Sequence, residues 1–124
     1  MTAAEQQDLL ATLADLPDEA VKRIAQSSEG ERDLRLRFER FHAANPFVYE
    51  KLVELARGAR AAGHDRIGIA MLFEVLRYEV LTGRDPREDF RLDNGYRSFY
   101  ARLILESEPD LDGIFETRKG AWVD

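Results

Sequence analysis

The chain contains no cysteine. Disulfides, thiolate metal sites and cysteine nucleophiles are therefore excluded. It has no run of about 18 apolar residues, the length that a membrane-spanning helix needs. The opening Met1-Thr2-Ala3-Ala4-Glu5 is polar and acidic, unlike a secretory signal. A cytoplasmic protein is the expectation. Glycine is scattered, eight residues in all, and none precedes a Lys-Ser or Lys-Thr pair. A phosphate-cradling loop is thus missing. Only two histidines occur, His42 and His64, with no ligand-like spacing around either. No metal or other cofactor is expected. No Gly-x-Ser-x-Gly elbow exists, and no base pairs with Ser27, Ser28, Ser98 or Ser107 in the sequence. Nothing points to an enzyme.

Positive charge is also in short supply. Eighteen Lys and Arg face 24 Asp and Glu, for a net charge of −6. That argues against a protein that coats nucleic acid by charge alone, though a small basic reading surface stays open. What the chain does have is apolar material: 44% of its 124 residues are hydrophobic. That is enough for one domain with a core.

Helical periodicity dominates. Residues 4–14 place Leu9, Leu10 and Leu13 on one side of a short helix. Leu16-Pro17-Asp18-Glu19 starts another, since proline suits the first turn and acids suit the positive end of the helix dipole. A helix is expected over 31–43, with Leu34, Phe38 and Phe41 at i, i+4, i+7. Asn45-Pro46 ends it and opens the next, with Asn45 as cap and Phe47, Val48, Leu52, Leu55 and Ala56 as the apolar face to about Ala62. Gly63 fits the stop. Residues 64–69 read as a brief strand or turn. Residues 69–82 are the most apolar stretch and read as the most buried helix. A polar loop over 83–93 follows.

Asn94-Gly95 is a strong hairpin dipeptide. The competing pattern is better: Tyr96, Phe99, Tyr100, Leu103, Ile104 and Ser107 follow i, i+3, i+4, i+7, i+8, which predicts a helix capped by Asp93 or Asn94. Beyond Glu108-Pro109, residues 114–119 alternate like a strand, with Ala121-Trp122-Val123 as a return partner.

This order predicts a mainly α protein: a helical N-terminal extension over 1–30, then a winged helix-turn-helix-like domain over 31–124 with a small C-terminal β-hairpin. In that fold the helix 94–105 would enter the major groove of double-stranded DNA. If the aromatic face packs inward, Asn94, Arg97, Ser98, Ala101 and Arg102 look outward. Asn and Arg pair with adenine and guanine edges, and small residues allow close approach. Residues 91–102 hold three arginines against one aspartate. The candidate DNA-binding set is Arg91, Asn94, Arg97, Ser98 and Arg102, with Arg118 and Lys119 in the wing. An ordinary amphipathic helix with solvated arginines would show the same pattern.

The stretch Phe38-Glu39-Arg40-Phe41-His42-Ala43-Ala44-Asn45-Pro46-Phe47-Val48-Tyr49 and the later runs Gly63–Val75 and Phe90–Ile104 resemble a group of small phage and prophage proteins. So do Glu108-Pro109-Asp110-Leu111 and Ile114-Phe115-Glu116-Thr117-Arg118. The similarity spans about residues 34–119. It implies a mobile-element origin and brings no activity with it. Two functions are therefore expected: a regulatory DNA-binding protein, dimeric through residues 1–30, or an acidic inhibitor that binds a host enzyme or defence complex. For the second, the acids are Glu106, Glu108, Asp110, Asp112 and Glu116, which could mimic nucleic-acid charge.

Overall fold

The computed structural model describes residues 16–83 and 91–115. The expected helix over 4–14, residues 84–90 of the polar loop and the hairpin beyond Phe115 lie outside them. Five α-helices are found among the described residues. The chain divides into two compact units between Asn45 and Pro46. The boundary expected at 30/31 therefore falls inside the first unit.

The reason lies in how the first unit is tied. Helix α1 (Asp18–Gln26) has Pro17 at its N-cap position and Asp18 and Glu19 in its first turn. It stops where Ser27 turns extended, and the Ser27 hydroxyl donates to the Arg23 carbonyl at 2.8 Å. Helix α2 (Arg32–Ala44) follows a short turn. Arg23 reaches from α1 to α2 and donates through Nε and Nη2 to both oxygens of Glu39, at 2.6 and 2.7 Å. Arg35 approaches the same carboxylate at 3.8 Å and donates from Nε to the Ser27 hydroxyl at 3.2 Å. The Glu39 side chain is fully buried, so this two-point pairing supplies what water no longer does. Cutting the chain between these helices would break it. His42, in the last turn of α2, stacks on Phe38 with ring centres 5.9 Å apart. Burial lowers its pKa, with Glu39 opposing the shift. Asn45 turns its amide back: Nδ2 donates to the Phe41 carbonyl at 3.0 Å. Its side chain thus closes α2, where capping of the next helix was expected.

The second unit begins with α3 (Pro46–Ala61), which buries Val48, Leu52, Val53 and Ala56. Gly63 ends it at φ +99. Its amide donates to the Arg60 carbonyl and that of His64 to the Ala59 carbonyl, both at 3.0 Å. Only glycine adopts that backbone at little cost. Ile67 then forms a single parallel bridge with Phe115, its amide donating to the Ile114 carbonyl at 2.8 Å. The strand signal at 114–119 is thus spent, at its first described residues, on the extended piece before α4. No β-hairpin occurs among the described residues.

Helix α4 (Ile69–Leu81) buries Ile69, Leu72, Phe73 and Leu76. A 3₁₀ turn (Asn94–Tyr96) leads into α5 (Arg97–Ser107). Asp93 sits before that turn, and its carboxylate accepts from the Gly95 amide at 2.7 Å. Helix therefore prevails over hairpin at Asn94-Gly95. A second 3₁₀ turn (Pro109–Leu111) follows α5. Tyr96, Phe99, Tyr100, Leu103 and Ile104 are buried as the spacing predicts, whereas Ser107 is exposed. Phe73 and Tyr100 join α4 to α5 edge to face, 6.0 Å between centres. Arg57 on α3 donates to Asp110 and Glu108, and the Arg60 guanidinium donates to the Asp110 and Asp112 carbonyls. Tyr49 donates to Glu108 at 2.7 Å, and burial followed by that carboxylate pushes its phenol up to about 12. No helix among the described residues is long and apolar enough to cross a membrane.

Candidate functional site

Two surfaces of the second unit compete as sites. The first is the outer side of α5. Ser98 and Arg91 are exposed there, and Arg97 and Arg102 are half-buried. Arg97 folds back on its own helix start, donating from Nε to the Asn94 carbonyl at 3.1 Å. The Asn94 side-chain oxygen accepts from Arg77. Ala101 is fully buried, so it faces the core and not outward as expected. Helices α3 and α4 and both 3₁₀ turns pack against α5, so more than its aromatic face is covered. Arg118 and Lys119 lie outside the described residues. Arg97, Ser98 and Arg102 belong to α5, and Arg91 precedes the 3₁₀ turn that leads into it. The base-reading atom of Asn94 is tied to a neighbouring helix.

Arg77 is the organising residue of this corner, and its sequence position gave no sign of it. From α4 it donates to Glu74, one turn before it, and to the Leu92 carbonyl at 2.7 Å as well as to Asn94. Its guanidinium lies 5.9 Å from the centre of the Phe73 ring. One side chain therefore pins the segment 92–94 against α4.

The second surface is the outer side of α4. Met71, Val75, Tyr78 and Leu81 are 50%, 36%, 56% and 83% exposed. They recur at +4, +3 and +3, so they share a strip about 120° wide along the helix. The expectation that this most apolar helix is the most buried one fails. Its apolar residues surround the cylinder, and among the described elements α3 and α5 pack against the face that carries Ile69, Leu72, Phe73 and Leu76. The flanking charges are neutralised locally: Glu74 by Arg77, and Glu79 by Lys51 at 3.2 Å. Two open cavities are lined by Arg91 and Leu92, and one of them reaches Leu81 at the C-terminal end of this strip. One, of about 350 Å³, is lined among the described residues by Arg77, Val80, Leu81, Arg91 and Leu92. The other, of about 570 Å³, is lined by Arg91, Leu92, Asp93 and Tyr96.

The acids expected to mimic nucleic acid divide. Glu108 and Asp110 are engaged by Arg57, and that hydrogen bond holds the Asp110 carboxyl below its usual range. Glu106 and Asp112 are exposed, and Glu116 lies outside the described residues. Among the described residues no group of His, Asp and Glu is placed to hold a metal ion. Comparison with protein-family models, curated proteins and solved structures finds no match to the chain.

Proposed function

We propose that this protein is a non-enzymatic binding module that takes a partner protein on the outer side of α4. The observation that carries the reading is the strip Met71, Val75, Tyr78 and Leu81. Small domains seldom leave a continuous apolar strip in water unless something covers it. Locally paired charges on either side give the polar rim typical of a docking surface. The acids contribute less to this reading than the apolar strip does, because Arg57 neutralises two of them.

The test is a photo-cross-linking amino acid placed at Tyr78, with Ser98 as the comparison position. Irradiation in cells is expected to give a discrete protein adduct from position 78 that disappears with Leu81→Glu. Adducts to nucleic acid from position 98, with none to protein from 78, would overturn it.

A second reading, a DNA-binding protein with α5 in the major groove, is favoured by one feature. The extended piece before α4 lies beside Phe115, which follows α5 and the second 3₁₀ turn, at the place in the chain order where a wing would begin. Arg91, Arg97, Ser98 and Arg102 would then meet the duplex, with Arg118 and Lys119 on phosphates. Selection from a random duplex pool tests it: an enriched motif lost on Arg97→Glu with Arg102→Glu supports DNA, and no enrichment sinks it.

A further inference from the structure

We propose that residues 120–124 of this same chain dock on the outer side of α4, with Trp122 seated on Met71, Val75 and Tyr78, and so compete with the partner for that surface. The proposal rests on the protein-binding reading above and gives that site its regulation.

Two facts select this occupant: where the described chain stops and how much sequence follows. Phe115 is the last described residue, and it bridges Ile67, two residues before α4 begins. The bridge is parallel, so the chain leaves Phe115 in the direction in which residues 67–69 enter α4. Residues 116–124 are therefore tethered at the N-terminal end of the exposed strip. Ile67, Ile69 and Phe115 are buried, whereas the strip faces the other way, so the path must round the helix. Half the circumference of a helix about 10 Å across is about 16 Å. The rise from Ile69 to Tyr78 is about 14 Å at 1.5 Å per residue, which makes the diagonal about 21 Å. The seven residues from Phe115 to Trp122 span about 23–25 Å when extended. Trp122 thus reaches Met71, Val75 and Tyr78, while Leu81, a turn further on, lies at the limit of that reach.

The chemistry agrees with the reach. Ala121-Trp122-Val123 is the one apolar run after Phe115, and Trp122 is the only tryptophan of the chain. A tryptophan carries a large apolar surface, and the strip offers a thioether, a branched aliphatic and a ring to cover it. Charge neither drives nor opposes the contact. Arg77 and Lys51 already neutralise Glu74 and Glu79, and residues 116–124 hold two acids and two bases. Apolar contact decides instead. The short tether raises the local concentration of Trp122 at the strip far above that of a separate partner. A partner must then bind more tightly than Trp122 does, which makes the segment a threshold and not a block.

The test is the fluorescence of Trp122 in the full chain, where no other tryptophan contributes. Emission is expected well to the blue of free tryptophan and shielded from a soluble quencher. Met71→Ser with Val75→Ser should return both to the values of free tryptophan, with helical circular dichroism unchanged, because neither side chain belongs to the core. Leu81→Ser should leave them largely as they are. A photo-cross-linking amino acid at Tyr78 gives a second readout that needs neither variant: trypsin cuts after Lys119, and the adduct is expected on residues 120–124 of the same chain. Emission at the wavelength of free tryptophan, or blue emission unmoved by the Met71 and Val75 substitutions, would overturn the docking. Trp122→Ala should raise the yield of partner adduct from position 78 severalfold, and an unchanged yield would overturn the competition. A seated Trp122 with no partner adduct even in Trp122→Ala supports the docking and sinks the protein-binding reading. A free Trp122 with a partner adduct does the reverse.

Discussion

Helices α4 and α5 are packed neighbours, and each defies its composition. The richer in apolar residues, α4, stands four large apolar side chains in water; α5, which alternates arginines and a glutamate with its aromatics, buries five of its 11 residues. The difference comes from neighbours. Among the described elements, α5 packs against α3, α4 and both 3₁₀ turns, whereas α4 packs chiefly against α3 and α5. Apolar content sets how much surface a helix can bury. The number of elements around it sets how much it does bury. What is left over on α4 is the surplus on which the functional reading rests.

The sharpest way to break that comparison is to truncate one side chain from each helix. Tyr100→Ala, in the fully buried part of α5, should cost about 3–5 kcal/mol of stability in urea unfolding. If it cost under about 1 kcal/mol, α5 would not be the centre of this unit.

The next effect is smaller and concerns how α5 begins. Asp93→Ala removes the acceptor of the Gly95 amide and should cost about 1 kcal/mol, with Asp93→Asn recovering most of it. Calorimetry of the three proteins checks this, and an Asp93→Asn variant as weak as Asp93→Ala would show that charge, not the hydrogen bond, holds the turn.

A shallower effect is expected at the other end of α5, with pH. Arg57 lowers the pKa of Asp110, so the folded chain holds this proton less tightly than the unfolded chain. The contribution is therefore present above the ordinary carboxylate pKa of about 4 and is lost as pH falls through the lowered folded value. A series of melting temperatures should show a shallow decline in acid that is reduced in Asp110→Asn. A decline as steep in the variant would assign it to other carboxylates.

The smallest effect on stability is expected where the apolar content is highest. Tyr78→Ser combined with Leu81→Ser should change stability by only about 0.5 kcal/mol per site, because Leu81 stays largely in water and Tyr78 stays more than half exposed. Partner capture is where that variant should fail. A loss of stability comparable to that of Tyr100→Ala would erase the contrast between the helices.

Much of the fold was legible along the chain. Pro17, the Asn45-Pro46 pair and Gly63 mark helix ends by backbone sterics that act within a few residues. The aromatic spacing from Tyr96 to Ile104 identified both the helix and its inner face. The candidate site was legible only in fragments. Ser98 is exposed and Arg97 and Arg102 are half-buried on α5, and Arg91 is exposed six residues before it. Nothing local could show that Arg77, 17 residues before Asn94, would take that side chain, or that Ala101 would be covered. Asn45 was misread because an amide can serve either adjoining helix, and only the folded geometry chooses the Phe41 carbonyl.

The sequence by itself thus determined what depends on short range: helix type, helix ends, the inner face of α5 and the exclusion of cysteine chemistry. The tertiary structure alone decided which side of α4 stays in water, and where Arg23, Arg57 and Arg77 find their partners. It also joined the piece before α4 to Phe115. The physical reason is distance along the chain. Backbone preferences and periodicity are fixed among near neighbours, whereas burial and ion pairing depend on which remote elements arrive alongside.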